Sequence, residues 1–297
     1  MIGRLHKYFL IYFETFSVPT ADTLFLLILS ILTLESAHSI RFLYQHFLSG
    51  ITEKSLNAFY YACSYAKIDY SRFMNITARI ALKLIPDSLQ TQPVFLCVDD
   101  TMVSKFGTKF ENVSKLFDHA AHNGSNYLNG HCFVSILLCV PVWNQDKVSY
   151  LSVPLGYRMW QKKESKLEMA ASMIRQVMPE FQNKEHVIIL CDSWYTKKNL
   201  VSIVDEYPNL DLIGNARIDS VMYDLAPART GRRGRPAKHG KRLHIETDFT
   251  FSDEKITDYY IGVRRVLTKI FDDREVVAYV TATEKEQGTK RLFFSTI

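Results

Sequence analysis

Two apolar runs, each closed by an aspartate, constrain this chain more than any other feature. Pro93-Val94-Phe95-Leu96-Cys97-Val98 leads into Asp99-Asp100-Thr101, and His186-Val187-Ile188-Ile189-Leu190-Cys191 leads into Asp192-Ser193-Trp194-Tyr195. Continuous runs of this kind, rich in β-branched and aromatic residues, read as strands buried on both faces. Asp100 and Asp192 are therefore expected just past two strand termini, where an α/β sheet presents its chemistry. Two carboxylates brought together there repel and lose hydration unless a cation lies between them, so the pair points to a divalent metal. An acid in such a place is also a common cap or turn residue, and spacing alone leaves both roles open.

With 297 residues, 47% hydrophobic and 23% charged, the chain has material for about two globular domains and a large core. A net charge of +5 is too small over this length to name a partner, so its distribution has to. Five cysteines, an odd number without a Cys-x-x-Cys pair, fit reduced, buried thiols in an intracellular protein rather than a structural zinc site. The most apolar stretch, Leu24 to Leu34, is bracketed by Asp22 and Glu35, which leaves 12 residues between them against the roughly 20 that a membrane span needs. Arg4, His6 and Lys7 before it would suit a secretory signal, but Glu14 and Asp22 interrupt the approach, and a buried helix is expected.

Residues 1–90 read as a helical domain: Leu24, Leu27, Ile28, Ile31 and Leu34 recur at helical spacing, and Ser39–Phe47, Ser55–Asp69 and Ser71–Leu84 look like further helices. Residues 91–216 read as a mixed α/β core. The Asp100 strand is followed by an apolar run over Cys132–Val142 that Pro141 ends, then by Val148–Leu155 as a possible edge partner. An amphipathic helix over Lys163–Val177, the Asp192 strand, a helix over Asn199–Glu206 and a strand over Leu210–Ala216 complete it. In residues 217–297 a basic loop leads into alternating strands at Thr247–Phe251, Tyr259–Leu267, Glu275–Thr281 and Lys290–Ser295.

The loop holds seven cations in the fourteen residues Arg229 to Arg242: Arg229, Arg232, Arg233, Arg235, Lys238, Lys241 and Arg242. Its glycines and proline forbid regular structure. Arg233-Gly234-Arg235-Pro236 resembles the core of an AT-hook, which enters a narrow A·T minor groove, although a solvated charged loop has the same composition. His119, His122 and His131 follow Asp118 closely enough for a metal site to be conceivable, with packing or turn roles preferred. Trp194 and Tyr195 could stack on a displaced base or simply wall the site.

The order Asp100-Thr101, Cys191-Asp192, basic Arg-Gly-Arg-Pro loop, run of strands and final Arg291-Leu292-Phe293-Phe294-Ser295-Thr296 resembles insertion-sequence transposases of the DDE superfamily. The branch it is most similar to carries a Tyr-Arg-Glu-Lys signature, and the resemblance covers essentially the whole chain. It implies a ribonuclease H-like α/β fold with an N-terminal helical, DNA-binding domain and a β-rich insertion. It implies Asp100 and Asp192 as catalytic acids and ligands of Mg²⁺, for which Mn²⁺ can substitute, with Asp99 a weaker candidate for the first position. It also implies phosphoryl transfer on double-stranded DNA, at element ends and target, by a homo-oligomer located in the cytoplasm with the DNA. The third acid of the branch lies in a Tyr-x2-Arg-x3-Glu-x6-Lys helix that would begin where this sequence stops at Ile297, so the expected active site is incomplete and a DNA-binding remnant that occupies element ends is the alternative.

Overall fold

The computed structural model describes residues 2–107, 109–117, 126–228, 237–285 and 288–297. Helical periodicity in the first part of the sequence produces α1 (Ile2–Phe9), α2 (Val18–Thr33), α3 (Ile40–His46), α4 (Leu56–Tyr65) and α5 (Tyr70–Lys83). Pro19 sits in the first turn of α2, where its missing N–H costs nothing, and Ser39 caps α3 by accepting from Phe42 N at 3.1 Å. Leu27, Leu43, Leu48 and Phe59 form the centre of this helical unit. The expected burial of α2 is only partial: Leu27 and Leu29 are buried, whereas Ile28, Ile31 and Leu32 are exposed. Among the described residues no helix is long and apolar enough to cross a membrane.

The rest of the chain is built on one 11-stranded mixed sheet. Its first part comprises β1 (Val94–Ser104), β2 (Ser114–Phe117), β3 (Tyr127–Asn144), β4 (Lys147–Met159), then α6 (Lys166–Val177), β5 (Val187–Cys191), α7 (Lys198–Val201) and β6 (Leu210–Ala216). β4 pairs antiparallel with β3 and β3 with β1, while β1, β5 and β6 run parallel. The order β4-β3-β1-β5-β6, with α6 between β4 and β5, is the mixed α/β arrangement that a ribonuclease H-like core requires.

Alternation puts Val94, Leu96 and Val98 of β1 on one face with Val187 and Ile189 of β5 and Val134, Ile136 and Leu138 of β3, all buried. Met169, Ala170, Met173, Ile174 and Val177 form the buried side of α6, which packs against β3. Each fully buried aliphatic side chain here contributes about 1.5–3 kcal/mol. Asp100 is the next residue outward on that same face.

Several expected boundaries shift. β1 does not stop at the acids but runs on to Ser104, because β3 continues to pair with it through Ser104↔Gly130; only the β5 ladder ends, at Val98↔Cys191. Pro141 does not end β3, since the β1 ladder has already stopped at Cys139 and that edge of β3 needs no donor. Residues 80–90 go with the sheet rather than with the helices, the two compact units being Met1–Arg79 and Ile80–Ile297. Ile85 and Leu89 are buried, and Lys184 Nζ donates to Gln90 O.

The last part contains β7 (Met222–Tyr223), β8 (Arg242–Leu243), α8 (Ile245–Asp248), β9 (Tyr260–Thr268), β10 (Arg274–Ala282) and β11 (Lys290–Ser295). The strand expected at Thr247–Phe251 is instead the end of α8 and an extended segment with one bridge, Phe251↔Gly262; Asp248 Oδ2 accepts from His244 N and fixes the helical turn. β11 pairs antiparallel with β6, so the sheet runs through the expected boundary at 216–217 without a break. Cysteine burial is also narrower than expected: all five are free thiols, but only Cys132 is buried and Cys63 is exposed.

Candidate metal and DNA-binding site

The capping box of α6 starts the site. Ser165 Oγ accepts from Glu168 N at 3.1 Å and Glu168 Oε2 accepts from Ser165 N at 3.3 Å, which fixes Lys166 as the first helical residue. Lys166 Nζ donates to Asp100 Oδ2 at 2.7 Å, both side chains being 14% exposed. Cys132 Sγ, facing Met102 across the β1–β3 ladder, donates to the same oxygen at 3.1 Å. Burial and that bond to Asp100 push the Cys132 thiol up to about 11, so it stays protonated. Burial pulls the Lys166 ammonium down, but the hydrogen bond and charge of Asp100 outweigh it and the net direction is up. Lys166 therefore stays charged.

Asp192 is held in another way. It leaves the end of β5, and its Oδ1 accepts from Trp194 N at 3.0 Å and Tyr195 N at 3.1 Å. Its carbonyl accepts from Thr196 N at 3.0 Å and Thr196 Oγ1 at 2.9 Å. The turn role that spacing left open is thus present, filled by one carboxylate oxygen. Thr196 lies against Gly214 of β6, where a Cβ would stand 2.3 Å from Thr196 Oγ1. Tyr195 is fully buried, and its hydroxyl has no hydrogen-bond partner among the described residues. Burial first, then the charge of Asp100, raises its pKa.

Asp100 and Asp192 line one cleft of about 820 Å³. Lys115, Lys166, Lys197 and Arg217 bring positive charge to it, and Trp160, Trp194 and Phe117 bring aromatic surface. Lys197 Nζ lies 4.6 Å from the Trp194 ring centroid. Arg217 is forked onto Asp219 at 2.9–3.0 Å. Asp99, on the opposite face of β1, accepts from Asp100 N at 2.7 Å and does not line this cleft. Its carboxyl is raised, by burial first and then by the neighbouring charges of Asp192 and Asp100.

Two oxygens decide whether a divalent cation fits. Among the described residues, the hydrogen bonds to these carboxylates fall on Asp100 Oδ2 and Asp192 Oδ1, so each of these two cleft-lining residues keeps a second carboxylate oxygen as a hard donor. They fit as part of a ligand set. No group of three or more His, Cys, Asp or Glu able to hold a metal occurs among the described residues.

The other expected site residues divide. Arg229, Arg232, Arg233 and Arg235 lie outside the described residues, as do Asp118, His119 and His122. Lys238 and Arg242 are exposed, Arg242 within β8, and Lys241 is paired with Asp248. His131 Nε2 bonds Glu111 O at 2.8 Å, a structural contact. Sequence reading missed Lys115, Cys132, Trp160, Lys166, Lys197 and Arg217. For Lys166 a signal existed: Ser165-x-x-Glu168 marks the start of a helix that runs back to the base of the Asp192 strand and so begins at the acidic end of the sheet.

No curated protein matches the chain. Among solved structures, the NurA nuclease from Sulfolobus solfataricus is similar at 10% identity over 73% of this chain and 75% of that chain, with a TM-score of 0.29, too distant to bear on the site. Residues 21–266 match the sequence family of DDE superfamily endonucleases. That match takes in both aspartates, α6 and the basic loop within a chain of 297 residues, and the chain therefore belongs to the family of DDE superfamily endonucleases.

Proposed function

We propose that this protein is an insertion-sequence transposase that cleaves double-stranded DNA at element ends and joins it to a target, working as a homo-oligomer in the cytoplasm. The observation that carries the reading is the convergence of Asp100 and Asp192 on a cleft that is also basic and aromatic. Asp100 Oδ1 and Asp192 Oδ2 would hold Mg²⁺, with Mn²⁺ able to substitute. When bound, a pair of such ions supplies an activated water or 3′-hydroxyl and stabilises the leaving oxygen. Lys115, Lys197 and Arg217 attract the phosphodiester backbone, and Trp194 and Trp160 exclude water from one wall. The cations from Arg229 to Arg242 hold flanking DNA, and the N-terminal helices add DNA contacts.

A second reading is binding without cleavage, in which the protein occupies element ends and inhibits an intact transposase. It is favoured by the lack of a third converging acid among the described residues.

The test is a nicking assay on element-end DNA in Mg²⁺, run beside a gel shift, with wild type and Asp192→Asn. Asparagine keeps the acceptor that Trp194 N and Tyr195 N use and removes only the charge. Nicking by wild type, lost at least a hundredfold in the variant with binding retained, establishes the enzyme; the size follows from losing charge stabilisation of the transition state, worth about 10²–10³. Binding without nicking by either protein establishes the second reading.

A further inference from the structure

Asp100 and Asp192 bring two carboxylates to one cleft. Lys166 is the cation hydrogen-bonded to Asp100 among the described residues, and it holds the oxygen Oδ2 that Cys132 also contacts. An ammonium 2.7 Å from one carboxylate oxygen competes with a divalent ion on the other, because two cations sharing one carboxylate at short range repel each other. Lys166 has somewhere else to go. Its Nζ stands 5.0 Å from the Trp194 ring centroid and 5.8 Å from that of Trp160, rings that line the cleft and can cradle a cation. Four flexible methylenes let the head group move while helix α6 stays capped.

Resting on the metal reading above, we propose that Lys166 has two alternating partners. It is the counter-ion of Asp100 in the cation-free protein, and it passes to a phosphate oxygen of bound DNA when a divalent cation takes Asp100. The residue thereby couples occupancy of the acidic pair to the grip on DNA. No bond is made or broken, and the ammonium keeps its proton throughout.

The full chain with Lys166→Met is compared with wild type and Asp192→Asn, first for Mn²⁺ affinity by titration without DNA. Lys166→Gln is made in parallel and decides the question if the methionine variant fails to fold. Removing the competing charge should tighten Mn²⁺ binding about tenfold. The second measurement is the salt dependence of DNA affinity in Ca²⁺ and in EDTA. In Ca²⁺ the variant's slope should be shallower by about 0.9, one phosphate contact, and in EDTA the slopes should coincide. Equal or weaker Mn²⁺ binding by both Lys166 variants, or a slope difference that is the same in Ca²⁺ and EDTA, overturns the proposal. If Asp192→Asn weakens Mn²⁺ binding while the Lys166 variants do not tighten it, only the role of Lys166 falls. If wild type, Asp192→Asn and the Lys166 variants share one affinity or none, the metal reading falls and takes the proposal with it.

Discussion

The two carboxylates of the cleft are held by different kinds of structure. Asp100 is part of a ladder: β1 is paired with β3 on one side as far as Ser104, and its neighbours on the same face are buried core residues. Asp192 is part of a turn, fixed by backbone donors of the two residues that follow and by the approach of Thr196 to Gly214. Position in a ladder is shared with many hydrogen bonds and much buried area, whereas position in a turn depends on a few local contacts. Damage near Asp100 should therefore appear as lost stability, and damage near Asp192 as lost geometry.

The largest expected effect tests the ladder. Leu96→Ala empties a fully buried site on the face that carries Asp100 and should cost about 2–5 kcal/mol in urea unfolding, while Mn²⁺ affinity of the folded fraction stays that of wild type. A loss of affinity larger than the loss of folded protein would show that the ladder does not hold Asp100 independently. Next comes the turn. Gly214→Ala drives a Cβ into Thr196 Oγ1, a short buried group bonded to the Asp192 carbonyl, at a cost of about 1–3 kcal/mol. Here Mn²⁺ affinity should fall well beyond the loss in stability, and retention of wild-type affinity would break the distinction.

The smallest effect is a control on α6, away from both acids. Arg175 forks onto Glu206 at 2.5–2.7 Å, a pair more than a third exposed and so, after solvent screening, worth under about 1 kcal/mol. The hydrogen bond from Arg175 holds the Glu206 carboxyl below its ordinary value. A lowered folded pKa means stability that is full above the unfolded value, near about 4.3, and lost as pH falls through the folded one. Glu206→Gln should cost a few tenths of a kcal/mol at pH 7 and nothing in more acidic solution than the folded pKa; a cost independent of pH would mean that packing, not charge, joins the pair.

Legibility followed the same division. The apolar runs before Asp100 and Asp192 identified β1 and β5 because they carry no polar alternation to confuse with a helix. Burial on both faces holds only for Val187, Ile188 and Ile189 of β5; in β1 the face of Val94, Leu96 and Val98 is buried, and Phe95 and Cys97 on the other face are half-buried. The extension of β1 beyond its acids was not legible, since it depends on β3 still being present opposite Thr101 to Ser104. Alternation at Thr247–Phe251 misled because Asp248 closes a local turn that competes with strand pairing. Among the lysines of Lys162-Lys163-Glu164-Ser165-Lys166, only tertiary geometry chooses Lys166 for Asp100, although the capping box supplied the helix start. The Gly214–Thr196 approach left no trace in composition at all.

The parallel pairing of β1 with β5 also sets an order of assembly. β1, β3 and β4 form from neighbours along the chain, whereas Val98↔Cys191 joins residues far apart in sequence. Local hairpins close sooner than distant parallel pairs, because loop-closure entropy must be met before the contacts reward it. The antiparallel meander that carries Asp100 therefore forms ahead of the parallel pairing that brings in Asp192. Until β5 docks, the chain holds one acid without its mate, so the paired carboxylates of the cleft are completed late.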